Sequence, residues 1–334
     1  MASSKRKIVI PAWLRFFLSA AIIAFLFKKV DITHFSSIVS QAIPGWLLAG
    51  LCLIFLEQLA VSIAWRAMLA SKGYKVPFWK MLHIIIVSNF IGFVFPSTAG
   101  ADVVRVLGLS KYISSASDAF SSMVIFRVSG YVLMFTIALI SATFFAERLP
   151  DDPVIKSISV ALVIGFAILF LALLFSGTVM RLLAIAFRKI GKERLYLRVE
   201  TLYRAFSFYL GHKGAMTVAF AGALFMQLER ILYVYVVSLA LGLKVDPATL
   251  CLFVPIIMVL TLIPVSISGI GVREGGFVFL FGYAGLSAAQ AMSLSICGFA
   301  LSLVYVLLGG LVYWLFGFPG GESVSELKGK EPAV

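Results

Sequence analysis

The sequence predicts an all-α integral membrane protein, with about six full transmembrane helices plus two broken re-entrant helical hairpins in an inverted-topology repeat. Three observations carry this: the composition, the spacing of the apolar runs, and the order in which intact and interrupted runs follow one another. Of 334 residues, 61% are hydrophobic and 13% charged, against about 45–50% apolar and about 25% charged in soluble domains. No soluble core can hide that much apolar surface, so the bilayer is the solvent.

A transmembrane helix needs about 20 predominantly apolar residues. The first run, 11–28, follows the cluster Lys5, Arg6 and Lys7 and continues into Lys28 and Lys29 with no small-residue cleavage site. It reads as a retained span rather than a signal peptide. Further full spans are expected at 46–69, 117–146, 154–176, 215–241 and 288–316. Two other apolar regions, 79–113 and 248–284, are interrupted by Pro, Gly and Ser, and each piece is too short to cross comfortably on its own. After Phe316 the segment 317–334 is rich in Gly, Glu, Lys and Pro and reads as a disordered tail.

The net charge of +13 would suggest nucleic acid in a soluble protein. Here the basic residues gather in loops, where they set orientation, so no nucleic-acid partner is expected. The loop 177–214 holds Arg181, Arg188, Lys189, Lys192, Arg194, Arg198, Arg204 and Lys213 against Glu193 and Glu200, and is expected on the cytoplasmic side of the cell membrane. Glu147, Arg148, Asp151 and Asp152 form an acid-leaning connection expected outside. Both termini are then cytoplasmic, the first hairpin opens to the cytoplasm and the second to the exterior. Within the loop, Leu195, Val199, Leu202, Phe206 and Tyr209 recur at helical spacing, which fits an amphipathic helix on the inner headgroups or a partner-binding helix.

The order full span, broken hairpin, full span occurs twice, over 46–146 and 215–316, within one transmembrane domain of residues 1–316. The first unit begins outside and the second inside, which is the signature of an inverted repeat whose interrupted segments point to a binding site near the midplane. In both breaks eight residues separate Pro from Arg: Pro96 to Arg105, and Pro264 to Arg273. Proline ends the incoming helix, glycine lets the backbone turn, and serine or threonine can cap the outgoing half-helix. Ser97, Thr98 and Gly100 with Asp102 and Arg105 form one candidate binding tip. Ser266, Ser268, Gly269 and Gly271 with Arg273 and Glu274 form the other. A half-helix N-terminus attracts anions, and a guanidinium one turn in can grip phosphate with two prongs. Gly271 and Gly275 also make a G-x-x-x-G face for close helix packing.

Glu57, Arg127, Glu229 and Arg230 lie inside full spans, where each central charge costs roughly 2.5–3.5 kcal/mol. They are expected to face one another or a shielded cavity, either as structural ion pairs or as part of a transport path. Arg66, beside Trp65 near a helix end, is expected to snorkel to headgroups. The cysteines Cys52, Cys251 and Cys297 and the histidines His34, His83 and His212 show no ligand spacing, so neither a metal nor another cofactor is expected.

Trp65-Arg66, the stretch from Asn89 through Pro96 to Gly100-Ala-Asp102-Val-Val-Arg105, and Pro264-Val-Ser-Ile-Ser-Gly269-Ile-Gly271-Val-Arg273-Glu274-Gly275 resemble the flippase-like transmembrane region of lysylphosphatidylglycerol synthases and its stand-alone relatives. The resemblance covers about residues 11 to 316 and implies movement of an anionic phospholipid or a polyprenyl-phosphate-linked substrate between leaflets. No soluble aminoacyltransferase domain follows Phe316 in this sequence, so lipid aminoacylation by this chain is not expected. A G-x-x-x-x-G-K-[ST] phosphate loop is also missing, so transport is expected to be downhill or ion-coupled, with Glu57, Asp102, Glu229 or Glu274 able to take up a proton. Two other classes stay open. One is an enzyme acting on a lipid phosphate, for which no nucleophile–base pairing is present. The other is an accessory subunit that organises a glycosyltransferase or another envelope-assembly enzyme through the basic helix.

Overall fold

The protein is described from a computed structural model, which describes residues 32–94, 100–113, 115–144, 207–261 and 269–318, with isolated positions between 157 and 204. The expected spans 11–28 and, but for three positions, 154–176 lie outside these residues, as do most of the amphipathic loop helix and nearly all of the tail. The described elements are helices in the order α1 (Ile32–Ser40), α2 (Pro44–Ala70), α3 (Phe78–Val94), α4 (Gly100–Ser110), α5 (Ala116–Phe144), α6 (Lys213–Ala240), α7 (Pro247–Leu260), α8 (Val272–Tyr283) and α9 (Ala288–Phe316). Every expected boundary between 46 and 316 that falls on described residues agrees within a few positions. The short helix α1 was not among the expected elements.

Local chemistry sets these ends. Pro44 and Pro247 occupy the first helical positions of α2 and α7, where a missing N–H costs nothing. Ser287 caps α9 by accepting from the Gln290 amide at 3.2 Å, while Gln290 Oε1 accepts from the Ser287 amide at 2.8 Å. Four helices are long and apolar enough to cross a membrane: α2, α5 over Ala116–Ser141, α6 and α9. At 1.5 Å per residue each is about 40 Å long, against about 17–26 Å for α3, α4, α7 and α8, short of the ~30 Å hydrocarbon core. Leu48, Leu56, Ile63, Ile140, Phe144, Leu228, Leu307 and Trp314 are exposed on the long helices. Helices apolar all round, with the outward face uncovered, belong to a membrane protein.

Contacts fix the relative directions. On α2 and α6, Gly50 neighbours Tyr233, Glu57 pairs with Arg230, and Ala64 abuts Gly222, so the two helices run antiparallel. Among the described residues this is the most extensive helix pairing. Small residues make it possible: Ala215, Ala219 and Ala223 form a buried stripe on α6, and a Cβ on Gly222 would sit 2.5 Å from the Ala64 methyl. Gly222 against Phe126 and Gly130 against Gln227 set α5 parallel to α6. His83 with Phe316, Asn89 with Tyr305 and Phe93 with Phe299 set α3 antiparallel to α9.

The pairings come in corresponding sets. Helix α3 packs on α9 as α7 packs on α5, α2 on α3 as α6 on α7, α4 on α5 as α8 on α9, and α2 on α9 as α6 on α5. Exchanging α2–α5 with α6–α9 turns each of these contacts into another. The ends of α2, α4 and α9 and the starts of α3, α5 and α6 share one face, which carries Lys72, Lys75, Lys80, Lys111 and Lys213. The opposite face joins the start of α2 to the end of α6, where the Ile43 amide donates to the Ala240 carbonyl at 2.8 Å.

On the basic face, Lys72 bonds Asp118 and lies 4.9 Å over the Phe208 ring and 5.0 Å over Tyr209. Tyr74 donates to the same carboxylate at 2.6 Å, which pushes the Tyr74 hydroxyl pKa up. Arg66 is exposed near the end of α2, and its Nε donates to the Val76 carbonyl at 2.9 Å, tying the 71–77 turn to that end. Trp65 Nε1 donates to Ser122 Oγ at 2.9 Å, tying α2 to α5.

Candidate functional site

Both interruptions leave polar groups deep between the helices, and the structure gathers most of the candidate residues there. Ser97, Thr98, Ser266 and Ser268 lie outside the described residues. Gly100 is the first residue of α4 and is buried. Gly269 sits in the turn ahead of α8, where its carbonyl accepts from the Arg273 amide at 2.9 Å. Gly271 is the N-cap of α8 with φ of 88°, a left-handed conformation that L side chains rarely adopt.

Asp102 and Glu274 occupy equivalent places, each the third residue of its half-helix and each buried. Asp102 accepts from Arg105 Nη1 at 3.1 Å and is ion-paired with Arg127 of α5. Glu274 accepts from the Gly271 amide at 2.6 Å and is ion-paired with Arg273. Ser295 of α9 joins this cluster, 3.2 Å from Arg273 Nε and 3.3 Å from Glu274. A carboxylate of the protein itself therefore sits in the first turn of each half-helix, where a helix end favours negative charge. The arginines differ in position. Arg105 is the sixth residue of α4, whereas Arg273 is the second of α8, because α8 begins later after its proline than α4 does. Equal spacing from proline thus does not give equal depth in the half-helix.

From Arg105 a chain of polar side chains runs across the bundle. Its Nη2 donates to Asn89 Oδ1 at 2.5 Å, and Asn89 Nδ2 donates to Tyr305 Oη at 2.9 Å and to Gln58 Oε1 at 3.1 Å. Gln58 donates to Glu57 at 2.9 Å, and Glu57 lies 3.8 Å from Arg230. Arg127 also donates to Tyr131 Oη at 2.6 Å. Six helices, α2, α3, α4, α5, α6 and α9, are linked this way; of the four intramembrane charges expected to face one another or a cavity, Glu57 and Arg230 meet each other, while Arg127 meets Asp102. Arg105 Nε has no hydrogen-bond partner. Glu229 and Arg230, being adjacent, point apart: Arg230 reaches Glu57, while Glu229 is buried and its Oε1 has no partner.

The two breaks approach through one ring. Arg273 lies 4.6 Å from the centroid of Phe299, and the same ring faces Phe93 at 6.3 Å, next to the first break. Phe299 is near the middle of α9. The close helix approach expected at Gly275 falls instead at Gly276, where a Cβ would sit 3.3 Å from Ile257, while Gly275 meets nothing within 4 Å. Asn89, Gln58 and Tyr305 connect the charges, yet reading charged residues alone misses Gln58 and Tyr305. Their signal was available as uncharged polar side chains within apolar runs. Among the described residues no group of His, Cys, Asp and Glu could hold a metal ion.

Long all-apolar helices around a buried polar chain define a multi-pass α-helical membrane protein with a charged interior. The chain belongs to the lysylphosphatidylglycerol synthase TM region family, whose model matches residues 12–310. It is also similar to a UPF0104 membrane protein of Archaeoglobus fulgidus, 28% identical over 161 residues, which is 47% of this chain and 44% of that protein. The chain therefore spans less than half the length of that relative. No solved structure matches.

Proposed function

We propose that this protein is a transporter that moves an anionic lipid or lipid-linked precursor between the leaflets of the cell membrane by alternating access. The observation that carries this reading is the pair of half-helices, each holding an arginine ion-paired with the protein's own carboxylate, with Arg273 of the second and Phe93 beside the first break both against the Phe299 ring. A cargo phosphate offers the same chemistry as Asp102 and Glu274 and can exchange with them on Arg105 and Arg273. Arg105 Nε provides a further donor. Because the site starts and ends with its charges paired, cargo can leave as readily as it enters.

The corresponding helix pairings and the antiparallel α2 and α6 support an inverted repeat of 46–146 on 215–316 within one domain of residues 1–316. Two such halves can rock against each other and open the site to one leaflet and then the other. The basic face is then cytoplasmic, with both termini on that side. Function by transport rather than catalysis agrees with interior arginines that are each ion-paired with a carboxylate of the protein.

Reconstitution into liposomes with labelled phosphatidylglycerol, phosphatidylcholine and a prenyl-phosphate lipid tests the reading. Anionic labels should move fastest. Arg105→Ala or Arg273→Ala should slow them about tenfold or more, since a charge-assisted hydrogen bond contributes about 1.5–3 kcal/mol. Equal movement of all labels, unchanged by both substitutions, would refute it. An accessory role would show instead as loss of an envelope-enzyme complex on deletion of 194–210, with no lipid movement to lose.

A further inference from the structure

Four arginines and four carboxylates lie in the membrane interior among the described residues: Arg105, Arg127, Arg230 and Arg273, with Glu57, Asp102, Glu229 and Glu274. Their pairing is uneven. Asp102 takes both Arg105 and Arg127, Glu274 takes Arg273, and Glu57 takes Arg230. Glu229 is left over: it is 5% exposed, and its Oε1 has no hydrogen-bond partner.

The surroundings give it no spare cation. From α2 the ionisable neighbour is Glu57, itself a carboxylate, and from α6 the neighbours are Arg230 and Tyr233. Helix α5 offers Arg127, which is held on Asp102, and Tyr131, which accepts from Arg127. Helices α7 and α9 carry no Asp, Glu, Lys or Arg, and the ionisable group that α9 brings beside Tyr233 is Cys297. Arg273 of α8 is held by Glu274. Glu57 and Glu229 therefore have one neighbouring arginine for two carboxylates, and Arg230 reaches Glu57; an ionised carboxylate left without a hydrogen-bond partner at this depth costs several kcal/mol.

We propose that Glu229 is the proton site of this protein and that one proton travels with each cargo phosphate. Part of this, the coupling, rests on the transport reading above. With Glu229 protonated the interior holds one positive charge in excess, which a phosphodiester monoanion cancels. With Glu229 ionised the interior is neutral, and a phosphodiester monoanion would add one buried negative charge that nothing cancels. Proton and phosphate therefore bind together and leave together, and the loaded and empty carriers carry the same net charge.

Two measurements test this separately. Infrared spectra of the purified protein in lipid nanodiscs near pH 7 should contain a protonated-carboxyl stretch that disappears in Glu229→Gln and persists in Glu57→Gln. Its absence from the wild type, or its persistence in Glu229→Gln, would overturn the proton site whether or not the protein moves lipid. For coupling, the probe is fluorescent phosphatidylglycerol in phosphatidylcholine liposomes, with a pH-sensitive dye inside and the voltage clamped by potassium and valinomycin. A gradient of one pH unit should shift the leaflet ratio of the probe by up to about tenfold, as one proton per cargo requires. The clamped voltage should have no effect on it, and in Glu229→Gln the ratio should stay near one. A wild type that moves the probe without responding to the gradient, responds to voltage, or keeps its response in Glu229→Gln would overturn the coupling. A wild type that moves no probe under any gradient removes the transport reading and the coupling together, while the infrared result still decides the proton site.

Discussion

Replacing Gly92 by alanine puts a methyl group where α3 and α4 touch backbone to backbone. The added Cβ would lie 2.4 Å from Ala101 Cα and 2.5 Å from both Ala101 Cβ and Ala101 N, while ordinary contact begins at 3.4 Å. No rotamer relieves this, because the obstructing atoms belong to the main chain and to a methyl fixed on it. The two half-helices must separate by about 1 Å, and overpacking of this kind costs about 1–3 kcal/mol. Separation also acts on the site. Asp102 follows Ala101 directly, and Arg105, one turn later, reaches Asn89 of α3 at 2.5 Å. An added ångström stretches that bond beyond ordinary hydrogen-bonding distance and detaches Arg105 from the chain leading to Gln58 and Tyr305. Gly92→Ala should therefore lower the unfolding temperature in detergent and also slow anionic lipid movement, whereas an alanine at Gly275, which meets nothing within 4 Å, should do much less to stability. A Gly92→Ala protein with unchanged unfolding temperature and unchanged transport would refute the claim that this contact sets the hairpin.

Arg127→Ala leaves buried Asp102 with Arg105 alone; removing one partner of a buried pair costs about 3–5 kcal/mol, and the double variant Asp102→Asn with Arg127→Gln should lose less, as a double-mutant cycle of unfolding free energies would record. At the basic face, Tyr74 donates to Asp118 at 2.6 Å and its pKa is raised. The stability this gives is fully present below the unfolded tyrosine value of about 10 and is lost as pH rises through the higher folded value. Unfolding measured across pH 9 to 12, at roughly unit steps around that value, should show a decline that is shallower in Tyr74→Phe.

The amino-acid sequence by itself determined that the chain lives in a membrane and, for the described helices between 44 and 316, where they begin and end, because apolar run length and the Pro and Gly breaks are local properties. Pro44 and Pro247 start their helices, Ser287 with Gln290 builds a cap, and α3, α4, α7 and α8 are each too short to span. The interior charges were equally legible as costs that demanded partners. Which partner each found was not. That Asp102 takes Arg127, that Glu57 takes Arg230 while its neighbour Glu229 is left alone, and that Phe299 joins both breaks depend on side chains far apart in the chain meeting at one depth. Gly92 shows the same division: in sequence it is one glycine in an apolar run, and only the approach of α4 makes its missing Cβ matter. Periodicity fixes which residues are apolar and on which element, but pairing is decided by distance between elements, and that distance exists only once the helices have packed.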